Sequence, residues 1–462
     1  MCSLKNYICI HLCASFFFSS TSPLPTWYLS EFFGSNQLSL NIEKMRKTPI
    51  VEKQLLLPFV LITSLFFMWG LANNMTDTLL AAFKRIMSMT DFQTSWIQMS
   101  FYGAYFCLAL PAAILIKKFN YKTGVLWGLG LFIAGALLFY PASNTMVYGH
   151  FLSALFILAG GLSILETSAN PYILSMGNPE TATQRLNLAQ SFNPIGSIFG
   201  VLLSKVFILS QLNQADANQR LQMSPDELQH IQQSELMAVM GPYVGIAVAL
   251  LLIWLAILSL KMPEASDQGN QLALRPALGR LLRNKTYTLG VLAQFFYVGA
   301  QIGVWSYTIR YVMLEKEVNE SSASTYYLTA LILFTFFRFV FTWLMKFFKP
   351  GTLLLSAALG AMISSLAVIY LPGTIAVAAL IAISVFMSLM FPTIYGLAAG
   401  NLGEDTKIGG SGLIMAILGG AVLTAVQGQV SDFSGSIRLA YWVPLLCFAY
   451  IAWYANWVRK IK

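Results

Sequence analysis

Glu166 stands in the stretch Gly160-Gly161-Leu162-Ser163-Ile164-Leu165-Glu166-Thr167-Ser168-Ala169-Asn170-Pro171, inside a long apolar run. No water reaches a carboxylate there, and an isolated ionised form costs on the order of 2.5 kcal/mol or more. Such a residue faces an internal cavity, carries a proton or has a partner. Asn170 is one turn further on and shares the face of Glu166, where its amide can offer hydrogen bonds. Pro171 has no N–H and leaves the Thr167 carbonyl without its helical donor. Carboxyl, amide and freed carbonyl together suit a polyhydroxylated ligand and a proton. The plainer reading is a neutral glutamate held by a neighbouring helix.

A second acid lies near the end of an earlier apolar run. In Trp69-Gly70-Leu71-Ala72-Asn73-Asn74-Met75-Thr76-Asp77, the residues Trp69, Asn73 and Asp77 recur every four positions, on one helical face. Asp77 alone would pass for a boundary residue. The adjacent amides Asn73 and Asn74 argue against a lipid-facing surface. Further along, Asn187, Gln190 and Asn193 recur every three residues, and Gln294, Tyr297, Gln301 and Trp305 share a face in the second half of the chain. Amides donate to and accept from hydroxyls, and indole or phenol rings pack against the C–H side of a sugar. Amides also bridge transmembrane helices, so the residues alone leave both readings open. Arg338 and Lys205 are two further cations within apolar runs.

The elements that must carry these groups follow from composition. Of 462 residues, 57% are hydrophobic and 10% charged, and mean hydropathy is +0.66. The apolar residues come in blocks of about 20, the length of a bilayer-spanning helix. Spans are expected at 56–84, 93–116, 123–140, 147–176, 187–210 and 239–260, then at 288–313, 322–347, 352–370, 373–400, 408–431 and 438–459. The expected fold is an all-α polytopic membrane protein, with twelve transmembrane helices in two six-helix bundles. The divisions are an N-terminal extension over 1–44, a first bundle over 45–260, a cytoplasmic linker over 261–286 and a second bundle over 287–462. The extension is expected to be disordered or to reflect an upstream start codon, since Met45-Arg46-Lys47 resembles an ordinary start.

The net charge of +9 does not gather into one patch, so nucleic acid is not an expected partner. From Arg46 onward, 18 Lys and Arg fall in the N-terminus, the even-numbered loops and the C-terminus, against 6 in the odd-numbered loops. That bias places both termini in the cytoplasm. The five cysteines and three histidines have no liganding spacing, so no metal site or disulfide framework is expected. No nucleophile–base pair points to an enzyme, and no soluble signalling domain points to a sensor. In a transporter made of inverted repeats, spans one and four occupy equivalent positions beside the central cavity. Asp77 and Glu166 therefore sit in corresponding elements.

From about Leu55 onward the chain resembles the major facilitator superfamily, and within it the L-fucose–proton symporter (fucose permease) family. The stretches that carry the resemblance are Ala72–Asp77, Leu165–Pro171, Arg185–Asn193, Ala293–Gln301 and Asn401–Lys407. The resemblance implies proton coupling at Asp77 and Glu166, and sugar contact at Glu166, Asn74, Gln190 and Asn193. Together with the residues read above, the expected sugar site comprises Asn73, Asn74, Glu166, Asn170, Gln190, Asn193, Gln294, Tyr297, Gln301, Trp305 and Phe391. Three positions depart from the family: Ile116 precedes Lys117-Lys118 where an acid is usual, Phe337 replaces a glycine before Arg338, and Phe391 replaces a tyrosine. The last removes one possible sugar hydrogen bond. The expected protein is a monomeric, proton-coupled importer of L-fucose in a bacterial inner membrane, with no cofactor beyond the proton. A related porter for glucose, galactose or an amino sugar is the alternative.

Overall fold

The computed structural model describes residues 48–86, 91–208, 219, 222–263 and 274–461. The extension 1–44 and linker residues 264–273 lie outside the described residues. Every regular element among the described residues is a helix. The first half holds α1 (Leu56–Ile86), α2 (Asp91–Lys118), α3 (Tyr121–Thr145), α4 (Tyr148–Ser175), α5 (Ala182–Gln190), α6 (Phe192–Leu203) and α7 (Pro225–Ser259). A linker helix, α8 (Leu274–Arg283), leads into α9 (Lys285–Lys316), α10 (Glu320–Leu344), α11 (Pro350–Tyr370), α12 (Gly373–Met387), α13 (Met390–Ala399), α14 (Thr406–Met415), α15 (Gly419–Ser434) and α16 (Trp442–Ile461). Among the described residues 11 helical runs are long and apolar enough to cross a bilayer. The twelfth crossing is α5 with α6, whose first half carries Gln184, Arg185, Asn187 and Gln190 and so is less apolar than the others.

Two of the interruptions have a common cause. Pro194 has no N–H to give the carbonyl four residues back, Gln190, and the helix breaks at Ser191 between α5 and α6. Pro392 likewise cannot reach Ser388, and the tenth crossing breaks between α12 and α13. The eleventh bends through a tighter turn, Ala416–Leu418. Span ten, expected as one helix over 373–400, is thus two. The sixth crossing begins well before the expected residue 239, because Ser224 caps it. The Ser224 side chain accepts from the N–H of Glu227, Pro225 occupies the first turn, and Asp226 and Glu227 follow in it. Asn120, Asn284 and Asn319 cap α3, α9 and α10 in the same manner.

Close packing sets the site's walls. α1 and α6 cross so tightly that a Cβ on Gly70 would sit 1.9 Å from the Asn193 carbonyl oxygen, and one on Gly196 1.9 Å from that of Phe67. Only glycine permits that approach. In α4 every residue from Leu158 to Leu174 is buried, so this helix is enclosed on all sides. α13 is as fully enclosed. Contacts between the two halves run from α2 and α4 to α14, from α5 to α13, and from α5 and α6 to α10. The linker lies at the end where α4 finishes and α5 begins, since the Tyr172 hydroxyl donates to the Pro263 carbonyl at 2.7 Å. That end is called the linker end below.

Candidate functional site

Glu166 is 1% exposed at the middle of α4, and neither carboxyl oxygen has a hydrogen-bond partner. Tyr105 of α2 stands beside it, close enough for electrostatic interaction, and the Trp69 indole of α1 lies within reach of the same Tyr105 hydroxyl. No hydrogen bond closes among them: the Tyr105 hydroxyl and the Trp69 Nε1–H are also buried without partners. An unpaired buried polar group costs about 1–3 kcal/mol. Four such atoms from three helices can take up a proton or bond to hydroxyl groups. The Thr167 hydroxyl, next along α4, is unpartnered as well.

One turn on, the Asn170 Oδ1 accepts from the Gln190 Nε2 at 2.7 Å, while the Asn170 Nδ2 is left unpaired. The amide stripe of α5 divides by role. Gln190 joins Asn170. Asn187 reaches across to the second half, its Nδ2 donating to the Thr393 Oγ1 at 3.2 Å. Asn193 donates instead to the Phe66 carbonyl at 3.2 Å and so bridges α6 to α1. Asn74 donates at 3.3 Å to Gly70, one turn back in its own helix. Asn73, half-buried, has an unpartnered Oδ1. The side chain of Asp77 lies outside the described residues, although α1 continues through its backbone.

The second half presents a complementary wall. Gln294 is fully buried on α9 with both amide atoms unpartnered. Tyr297 donates to the Met387 carbonyl at 3.2 Å, and its ring meets Phe391 edge-on at 6.1 Å. Trp305 donates to Ser384 Oγ at 3.2 Å and packs edge-on against Phe334 at 5.1 Å. Gln301 is half-buried on the same helix.

Arg338 of α10 ties the walls together. Its Nη1 donates to the Gln190 carbonyl at 2.9 Å and its Nε to the Ser388 carbonyl, while the guanidinium lies 4.6 Å over the Phe334 ring. Both acceptors are the carbonyls that Pro194 and Pro392 left without helical donors. One buried cation thus satisfies two broken helices, one from each half. Gln184 adds a bond to the Thr342 carbonyl at 2.8 Å. Lys407 of α14 lies 5.5 Å over the Tyr121 ring of α3. These crossings sit toward the linker end.

The structure therefore unites Glu166, Asn170 and Gln190 on one wall and Tyr297, Phe391 and Trp305 on the other, with Arg338 between them. Tyr105 is the residue that sequence reasoning overlooked. It lies in Phe101-Tyr102-Gly103-Ala104-Tyr105, where a tyrosine reads as ordinary core. Its hydroxyl becomes informative only once Glu166 is opposite.

Residues 8–426 match the Major Facilitator Superfamily model. The L-fucose-proton symporter of Escherichia coli (strain K12) is 40% identical over 88% of this chain and 94% of its own length. The L-fucose-proton symporter of Haemophilus influenzae is 38% identical over 89% of this chain and 99% of its own. The crystal structure of FucP, a major facilitator superfamily transporter in the outward conformation, superposes with a TM-score of 0.82 at 41% identity, covering 87% of this chain and 98% of FucP. With its twelve crossings in two bundles and an enclosed acid and amides between them, the chain belongs to the major facilitator superfamily, on its L-fucose–proton symporter branch.

Proposed function

We propose that this protein imports L-fucose with a proton by alternating access. The observation that carries the reading is the enclosed Glu166, with both oxygens unpartnered beside the unpartnered Tyr105 hydroxyl. The identity to L-fucose–proton symporters along nearly their whole length supports it and favours L-fucose over other hexoses. The lysine and arginine bias makes the linker end cytoplasmic, with both termini inside and the protein in a bacterial inner membrane. It acts as a monomer and needs no cofactor but the proton.

The cross-half bonds of Gln184, Asn187 and Arg338 close the linker end, as an outward-facing state requires. Sugar and proton enter from the opposite side. Proton uptake at Glu166 removes the cost of enclosing a carboxylate in a dry site, about 2.5–3.5 kcal/mol for an acid at a helix centre, and Asp77 shares in the proton coupling. Asn73, Asn170, Gln190, Gln294 and Gln301 offer amides to the sugar hydroxyls, and Trp69, Tyr297, Trp305 and Phe391 supply ring faces and edges. The halves then rock, the linker-end bonds part and the cytoplasm receives both solutes.

Uptake into proteoliposomes, with an imposed proton gradient and a panel of L-fucose, D-glucose, D-galactose and an amino sugar, tests the assignment. L-Fucose is expected to accumulate and a protonophore to collapse the gradient. Accumulation of glucose or galactose without L-fucose would assign the protein to the alternative.

A further inference from the structure

The linker helix α8 has two faces of different character. On one, Ala277 and Leu281 are buried, with a Leu281 methyl 3.3 Å from where a Cβ on Gly409 of α14 would lie. Arg280 fastens this side, donating from Nε at 2.7 Å and Nη2 at 2.6 Å to the two oxygens of Asp405, just before α14. A bidentate pair of this kind fixes orientation as well as distance. The helix is therefore held at a set rotation against the second bundle.

That rotation turns Arg275, Leu278 and Leu282 outward, at helical spacings of three and four, and Lys285 is exposed at the first residue of α9. Leu278 is 39% exposed and Leu282 72%. Arg275, Arg283 and Lys285 are exposed around them, and residues 274–285 contain no acid. Asn284 alone separates α8 from α9, so the helix ends where a membrane crossing begins. Two bare leucines ringed by exposed cations at a bilayer boundary match a negatively charged headgroup layer with acyl chains beneath it. Neither water nor a neutral protein face suits both halves of that pattern.

We propose that this face of α8 docks on anionic phospholipid in the leaflet at the linker end, with Leu278 and Leu282 among the upper acyl carbons and Arg275, Arg283 and Lys285 among the phosphates. Through Arg280 and Asp405 the docked helix holds the start of α14, and with it one side of the closed linker end.

The test uses the full chain with its native cysteines replaced and a spin label at Leu282→Cys or, separately, at Leu278→Cys. Each protein is checked for uptake and reconstituted in vesicles of phosphatidylcholine with or without phosphatidylglycerol. In vesicles containing phosphatidylglycerol the label is expected to collide more with oxygen than with a water-soluble nickel chelate. That preference should fall when phosphatidylglycerol is omitted, and in the triple variant Arg275→Gln, Arg283→Gln, Lys285→Gln. Nickel-dominated collisions at both positions would overturn the proposal, because the face would then be wet. Immersion indifferent to lipid charge and to the triple variant would overturn the anionic partner. Dipolar broadening between labels would replace the lipid by a second copy of the chain.

Discussion

At the scale of single residues, the site is described best by what its side chains lack. Glu166, Tyr105, Trp69 and Gln294 are buried polar groups that complete no hydrogen bond. Folding alone would favour removing them, since each unmet group costs about 1–3 kcal/mol. Gln294 separates binding from stability. Gln294→Leu keeps similar volume and deletes an unsatisfied amide, so the melting temperature of the sugar-free protein should hold or rise. If Gln294 bonds a sugar hydroxyl, affinity should fall roughly five- to hundred-fold, the equivalent of about 1–3 kcal/mol. Parallel thermal unfolding and binding isotherms decide it, and a variant that loses stability but not affinity contradicts a sugar contact. Asn193 behaves differently, because its amide is engaged with the Phe66 carbonyl. In this arrangement it joins two helices, and a sugar would have to displace that bond.

At the scale of elements, prolines decide where the spans break and Arg338 decides what the breaks do. Replacing the guanidinium fork by one ammonium leaves a freed carbonyl at Gln190 or at Ser388 unpaired. Arg338→Lys should therefore loosen the linker end. A hydrogen bond to a charged group is worth about 1.5–3 kcal/mol, so the closed population should drop by roughly tenfold or more. Alkylation of a cysteine placed at Thr393, which bonds Asn187 across the halves, should speed up accordingly. An unchanged rate would assign Arg338 to the packing of α10 alone. Much of this was legible in the chain. Glu166, Asn170 and the stripe with Gln190 announce themselves as polar groups in apolar runs, and Pro171, Pro194 and Pro392 mark the freed carbonyls. What spacing does not reveal is the acceptor of each donor. The pairing of Arg338 with two carbonyls some 50 and 148 positions away depends on how separate helices meet. The early start of α7 was missed because its first turns are polar, although Ser224-Pro225-Asp226-Glu227 is a legible cap.

At the scale of the whole molecule, the two bundles enclose the unpartnered Glu166, and among the described residues the hydrogen bonds between the halves gather at the linker end. Such a molecule does work by exchanging which end is closed, and coupling requires that the exchange depend on the charge of that acid. A dry carboxylate resists enclosure, while its protonated form does not. Glu166→Gln mimics the protonated state permanently. It should let the empty and the loaded carrier rock without a proton, freeing sugar exchange from the proton gradient. The most direct test reconstitutes Glu166→Gln in proteoliposomes and measures L-fucose counterflow and gradient-driven accumulation in the same preparation. Counterflow retained with accumulation abolished, and with the pH dependence of uptake flattened, is the predicted result. A variant that still concentrates L-fucose against its gradient with the native pH dependence would contradict the assignment of the coupling proton to Glu166.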